Sequence, residues 1–184
     1  HHSGVTVPHT FRIRERIDFY ERICRGHEEM LFEDYPAVRA RMNELMDRLD
    51  TLERPCCLSH IDSVADNFLF LPDGSLRLID WEYAGMCDPL IDIAMCSIYS
   101  YYSQEELDHL LEEYLQHAPS DEERFVTYAY AALGGFRWSF RNDRFTLWQR
   151  AEYNSDVCFG HKIMEIHFVA LVCEDRVKAN TISN

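Results

Sequence analysis

Lysine is absent from this 184-residue chain until Lys162, and glycine is sparse, with 7 in all and no cluster ahead of His60. The first third therefore has neither a glycine-rich loop to cradle phosphates nor a lysine to pair with them. Basic side chains are missing from the middle, where residues 56–123 hold only Arg77 against 15 acidic residues, a net of −14. The flanks nearly cancel, with 9 basic against 11 acidic residues in 1–55 and 8 against 6 in 124–184. A nucleic-acid backbone needs a basic stripe, so the middle third is excluded as such a surface. It fits a solvated acidic face, or a site for metal ions or a cationic substrate. Paired cysteines are missing too. The 7 cysteines are odd in number and show no C-x-x-C spacing, the pattern of reduced thiols in a cytoplasmic protein and not of a disulfide framework or zinc site. The 9 histidines form no H-E-x-x-H or other ligand spacing. No apolar run approaches the ~20 residues of a membrane span, and no signal peptide opens the chain. Neither a membrane nor nucleic acid is an expected partner. His1-His2 would fit a tag remnant, but the missing initiator Met, with helix-like sequence soon after, points to a chain that starts partway through a longer protein.

What is present divides by period. Phe11 to Cys24 places Phe11, Ile13, Ile17, Tyr20 and Ile23 on roughly one helical face, with Gly26 as the stop. Asp34-Tyr-Pro36 opens a second helix, whose apolar positions Val38, Met42, Leu45, Met46 and Leu49 recur at three- and four-residue steps. Arg54-Pro55 breaks that pattern. Asn67 to Leu71, the turn Pro72-Asp-Gly74, and Ser75 to Ile79 then read as a β-hairpin, and the segment before His60 as a further short strand. After Asp88-Pro89 helices return. Leu90 to Tyr101 is apolar nearly all round, and Ser103-Gln-Glu-Glu106 and Ser120-Asp-Glu-Glu123 are capping boxes that each open a helix. The remainder is helical in pattern with a break near Asn142-Asp143. The expected fold class is α+β, mostly α, with one small β element amid helices.

Three polar positions frame that element. His60-x-Asp62-x4-Asn67 precedes the hairpin, and Asp80, followed by Glu82, ends its second strand. Phosphoryl transfer needs a carboxylate to accept the proton of the attacking hydroxyl, and hard oxygen ligands to hold Mg²⁺ against the phosphates. A loop entering a hairpin can supply Asp62 as the base and Asn67 as one metal ligand. The return strand brings Asp80 back beside Asn67, although the two are 13 residues apart in sequence.

The stretch Ser59-His-Ile-Asp-Ser-Val-Ala-Asp-Asn-Phe-Leu-Phe70, with Leu78-Ile-Asp-Trp-Glu-Tyr-Ala-Gly-Met-Cys-Asp-Pro89, resembles the catalytic core of choline kinases. It is most similar to the bacterial enzymes that make phosphocholine for surface decoration, within the aminoglycoside-phosphotransferase and protein-kinase-like fold. The strong similarity runs from Pro55 to Tyr99. The resemblance implies that Asp62 is the catalytic base and that Asn67 and Asp80 hold Mg²⁺, with ATP as co-substrate. It implies a bracing role for His60, and for Glu82 a place facing a second metal or the substrate cation. Asp88 and Asp92 match positions expected to organise loops and helix starts. Ile61 stands where many relatives carry Asn, which removes a polar contact but leaves base and ligands intact.

A quaternary ammonium neither donates nor accepts hydrogen bonds, so aromatic faces and nearby carboxylates must hold it. The chain offers Trp81, Tyr83, Trp138, Phe140, Trp148 and Tyr153, and the resemblance favours the C-terminal helical region, Trp138 first and then Trp148 and Tyr153. A buried helical aromatic is more often core than cage. After Cys158-Phe-Gly160 the chain departs from its relatives with His161-Lys162, and a lysine in a cation cage would be repulsive. Only two helices lie upstream of the motif, where a nucleotide lobe of several strands is required. The expected organisation of 1–184 is thus a single C-terminal kinase-like lobe: a helical lead-in over 1–54, catalytic and metal-binding loops over 55–100, and a helical substrate-binding region over 101–184. It would take a small-molecule substrate and need the missing nucleotide lobe to act. Alternatives are a kinase for ethanolamine, an aminoglycoside or a sugar, and a non-catalytic, pseudokinase-like binding module.

Overall fold

The computed structural model describes the backbone over residues 4–25 and 35–149, and side chains over residues 4–23 and 35–137. Helix α1 spans Ile13–Arg25 and α2 spans Tyr35–Asp50. Strand β1 is Cys57–Ser59, β2 Phe68–Phe70, β3 Leu76–Leu78 and β4 Gly85–Cys87. Helices α3 Leu90–Tyr99, α4 Gln104–Leu115 and α5 Asp121–Gln149 follow. The class is mixed and mostly helical, as the sequence pattern predicts. Among the described residues, no helix is long and apolar enough to cross a membrane. Cys56, Cys57, Cys87 and Cys96 are not in disulfides.

Two compact units emerge. Among the described residues, one comprises those up to Phe11 together with Glu53–Ala131, and the other comprises those within Arg12–Leu52 and from Ala132 onward. In the first, β2 and β3 form the expected antiparallel hairpin, with Phe68 opposite Leu78, Leu69 opposite Arg77, and Phe70 opposite Leu76. Its turn is closed by the Gly74 N–H donating to the Leu71 carbonyl at 2.9 Å, with Gly74 at a φ of +80° that favours glycine. The Asp73 carboxylate accepts from the Ser75 hydroxyl at 2.6 Å and from its N–H at 2.9 Å, which holds its pKa below the ordinary carboxylate value.

The strand before His60 also forms, and β4 is its partner: Cys57 faces Cys87, Leu58 faces Met86 and Ser59 faces Gly85. The far edge of β4 is covered by the N-terminal segment. Met86 N–H donates to His9 at 2.9 Å, and Phe11 N–H to Met86 at 3.1 Å. Gly85 permits this approach, because a Cβ there would stand 2.9 Å from the Phe11 nitrogen. Helix α3 lies against α4. Leu90, Ile91, Ala94, Met95, Leu107, Leu111 and Val126 are buried and form the apolar core of this unit. The two capping boxes close as read. Glu106 N–H donates to Ser103 Oγ at 3.3 Å and Glu123 N–H to Ser120 Oγ at 3.2 Å, each carboxylate returning to the cap residue's N–H.

In the second unit Arg39 of α2 reaches Asp18 and Glu21 of α1, the latter at 3.1 Å, while Arg14 meets Asp47 and Asp50 at 2.8 Å each. Tyr35 stacks on Phe136 at 5.8 Å between centroids. The expected break near Asn142-Asp143 does not occur, since α5 continues to Gln149. Neither residue is Pro or Gly, and Asn or Asp inside a helix costs only about 0.7 kcal/mol against Ala.

Candidate active site

The geometry starts where β1 ends. Ile61 is fully buried with φ at 72°, a conformation in which an L side chain crowds its own backbone. Something must hold it there, and Asp92 in the first turn of α3 does. Its Oδ2 accepts the His60 N–H at 2.9 Å and its Oδ1 the Ile61 N–H at 2.6 Å. The Ser63 hydroxyl adds a bond to the Asp92 main-chain carbonyl at 2.9 Å. One buried carboxylate thus turns the chain so that the next residue, Asp62, is only half-buried.

Two bonds fix the Asp62 main-chain carbonyl, one from Val64 N–H at 2.8 Å and one from Asn67 Nδ2 at 2.8 Å. The second has a chemical consequence. With its amide nitrogen committed to Asp62, Asn67 has its Oδ1 left as the group to bind a cation. The Asn67 main-chain carbonyl accepts the Ile79 N–H at 3.0 Å, so Asp80 follows directly beside it. Asp80 is exposed and carries φ at 62°, a second non-glycine residue in the left-handed region. Strain of this kind concentrates where a side chain must be aimed.

His60 ties the two halves together. It is fully buried, its Nε2 donates to the Ile79 carbonyl at 2.8 Å, and its ring meets Trp81 edge-on at 4.8 Å. Because a carbonyl only accepts, Nε2 carries the proton, and Nδ1 has no partner among the described residues. Glu82 is exposed on the turn closed by the Ala84 N–H donating to the Trp81 carbonyl at 3.1 Å, two residues beyond Asp80. The donors Asn67 and Asp80 are all-oxygen, which suits a hard cation such as Mg²⁺. No group of three His, Cys, Asp or Glu side chains among the described residues makes a closed metal cage. Mg²⁺ does not need one, because it keeps several waters and takes one or two protein ligands plus phosphate.

Hydrogen bonds therefore join His60 to Ile79, Ile79 to Asn67 and Asn67 to Asp62, with Asp80 next along the chain and Glu82 on the adjoining turn. Trp138 and Trp148 lie on α5 within the second unit, and their side chains are outside the described residues, as are Tyr153, His161 and Lys162. Sequence reasoning missed Tyr99, whose hydroxyl donates to Asp62 Oδ1 at 2.8 Å. The signal was faint: a tyrosine at the end of an apolar helix, 37 residues from its partner.

A family model described as the phosphotransferase enzyme family matches residues 2–136. Over 65 residues, 35% of this chain, the sequence is 48% identical to Protein LicA of Haemophilus influenzae, of which it covers 18%. Among solved structures, the choline kinase LicA from Streptococcus pneumoniae is 28% identical at a TM-score of 0.68, covering 94% of this chain and 58% of that one. A structure of LicA in complex with AMP is 27% identical at a TM-score of 0.73, with the same coverage. A choline/ethanolamine kinase family protein from Mesorhizobium loti shares the fold at a TM-score of 0.71 and 24% identity, over 95% of this chain and 57% of that one. The chain thus spans under three-fifths of the length of these structures and a smaller part of the curated relative.

Proposed function

The chain belongs to the phosphotransferase enzyme family, and from that premise we propose that it supplies the catalytic and acceptor-binding part of a kinase acting on the hydroxyl of a small alcohol, choline first among candidates. The observation that carries this reading is the run of bonds joining Asp62 to Asn67 and Asn67 to Ile79. It ties the main chain at Asp62 to Asn67 and Asn67 to the residue before Asp80, which supports a shared site for the three.

In this reading Asp62 accepts the proton of the attacking hydroxyl as its oxygen bonds to the γ-phosphorus of ATP, and the bond to the leaving ADP oxygen breaks. Asn67 and Asp80 would hold Mg²⁺, which when bound offsets the charge on the phosphate oxygens. Glu82, exposed beside them, would face a second cation or the acceptor's positive charge. His60 keeps the Asp62 loop and the Asp80 strand in register through Ile79. The acidic side chains around the hairpin, Asp62, Asp80 and Glu82, suit a cationic acceptor, whereas the rest of the surplus in 56–123 lies largely on capped helices. The similar choline kinase supports choline, and the similar structure of LicA in complex with AMP supports a nucleotide co-substrate. Trp138, Trp148 and Tyr153 remain the proposed aromatic side of the acceptor site. The nucleotide lobe is proposed as a further part of the natural gene product, so the 184 residues alone should show no appreciable turnover.

The test is phosphate transfer from ATP by the natural gene product, assayed with choline, ethanolamine, an aminoglycoside and a sugar. Choline should be the preferred acceptor, and Asp62→Asn should abolish turnover while acceptor binding persists. Undiminished turnover in that variant would remove Asp62 from its role, and a wide preference for aminoglycosides would replace choline.

A further inference from the structure

We propose that Tyr99 is the positioning residue for the Asp62 carboxylate, so that one face of α3 grips the catalytic loop at two points. The proposal rests on the reading of Asp62 as the base. Asp92 and Tyr99 are seven residues apart on one helix, two turns along the same face. Asp92 fixes the main chain at His60 and Ile61, and Tyr99 fixes the side chain that follows through the 2.8 Å bond from its hydroxyl to Asp62 Oδ1. An aspartate side chain has two rotatable bonds, and a general base works only within about 2.6–3.2 Å of the proton it takes. Anchoring Oδ1 leaves Oδ2 as the oxygen for the acceptor's hydroxyl and limits rotation of the carboxylate about its Cβ–Cγ bond. Tyr99 touches neither phosphate nor acceptor in this role and acts through Asp62. It is half-buried, so the phenol ring remains packed when its oxygen is removed.

The experiment uses Tyr99→Phe in the natural gene product. Loss of one hydrogen bond to a charged group should lower kcat by roughly ten-fold or more, while KM for ATP and for choline shifts by less than about two-fold. Asp62→Ala with Tyr99→Phe should be no slower than Asp62→Ala alone, because nothing is left to position. The tyrosine 13Cζ resonance that vanishes in Tyr99→Phe should also move in Asp62→Ala, which needs no activity to observe. An unchanged kcat, a loss confined to KM, additive losses in the double variant, or a resonance blind to Asp62→Ala would each overturn the proposal. If the wild type phosphorylates none of the acceptors, the kinase reading fails and takes this role with it. If Asp62→Asn is dead while Tyr99→Phe is fully active, the kinase reading stands and only the role of Tyr99 falls.

Discussion

Replacing Asp92 by alanine puts the support of the loop that bears Asp62 to a quantitative test. The Asp92 side chain is buried and accepts from two main-chain donors, the N–H of His60 at 2.9 Å and that of Ile61 at 2.6 Å. Alanine would leave both amides beside fully buried side chains with no acceptor. An orphaned buried donor costs about 1–3 kcal/mol, so two give about 2–6 kcal/mol, with a middle value near 4. Removing a buried charge returns part of that, because its desolvation cost disappears as well. The strained φ of Ile61 can relax once the two bonds are gone, which limits the loss, while the bond from Ser63 to the Asp92 main-chain carbonyl remains. Native stabilities lie near 5–15 kcal/mol, so the substitution removes a large share. For a chain of this size it corresponds to a Tm lower by about 8–16 °C. The assay is urea unfolding at pH 7 followed by far-ultraviolet circular dichroism, with Asp92→Asn beside it. Asparagine keeps one acceptor oxygen and turns an NH2 group toward the other amide, so it should rescue only part of the loss. A cost below about 1 kcal/mol for Asp92→Ala would refute the view that this carboxylate holds the turn.

Two further substitutions follow from partners elsewhere in the same unit. Arg54 bonds Asp88 at 2.7 Å and Glu122 at 3.0 Å. Burial opposes the charge of Arg54, but the bonds to Asp88 and Glu122 outweigh it and hold its pKa above the ordinary value. Arg54→Ala should cost about 3 kcal/mol in urea unfolding, because it strands the buried Asp88 carboxylate at the start of α3, and Asp88→Asn in the same background should restore part of it. Burial also pushes the Cys87 thiol up to about 12 from 9.0, and Tyr114 up to about 12 from 10.0. A group whose folded pKa is raised stabilises fully below its unfolded value and loses that contribution as pH climbs toward the folded one. Urea midpoints should therefore fall between about pH 9 and pH 12, and Cys87→Ser should flatten part of that fall. Alkylation at pH 8 should label the exposed Cys56 well before Cys87.

The sequence by itself determined the parts that depend on local chemistry. The hairpin was legible from Asp73-Gly74 between apolar runs, and both capping boxes from Ser and Glu at a three-residue spacing, because turn and cap preferences act within a few residues. The approach of Asn67 to the end of the return strand was legible for a similar reason: a tight turn makes neighbours of positions 13 apart. The extension of α5 past Asn142-Asp143 was misjudged because weak helix formers were weighed as if they were breakers.

Only the tertiary structure decided which distant residues serve that frame. The pairing of β1 with β4 joins three-residue strands separated by the whole stretch from His60 to Ala84, and nothing local specifies such a register. The bonds from Asp92 to His60 and Ile61 and from Tyr99 to Asp62 span 31 to 37 residues. In sequence Tyr99 is one of 10 tyrosines, and for Asp92 the resemblance implies a part in organising loops without naming the amides that it holds. Their roles come from packing. α3 buries its apolar sides in the core, and that burial leaves the face bearing positions 92 and 99 against the loop.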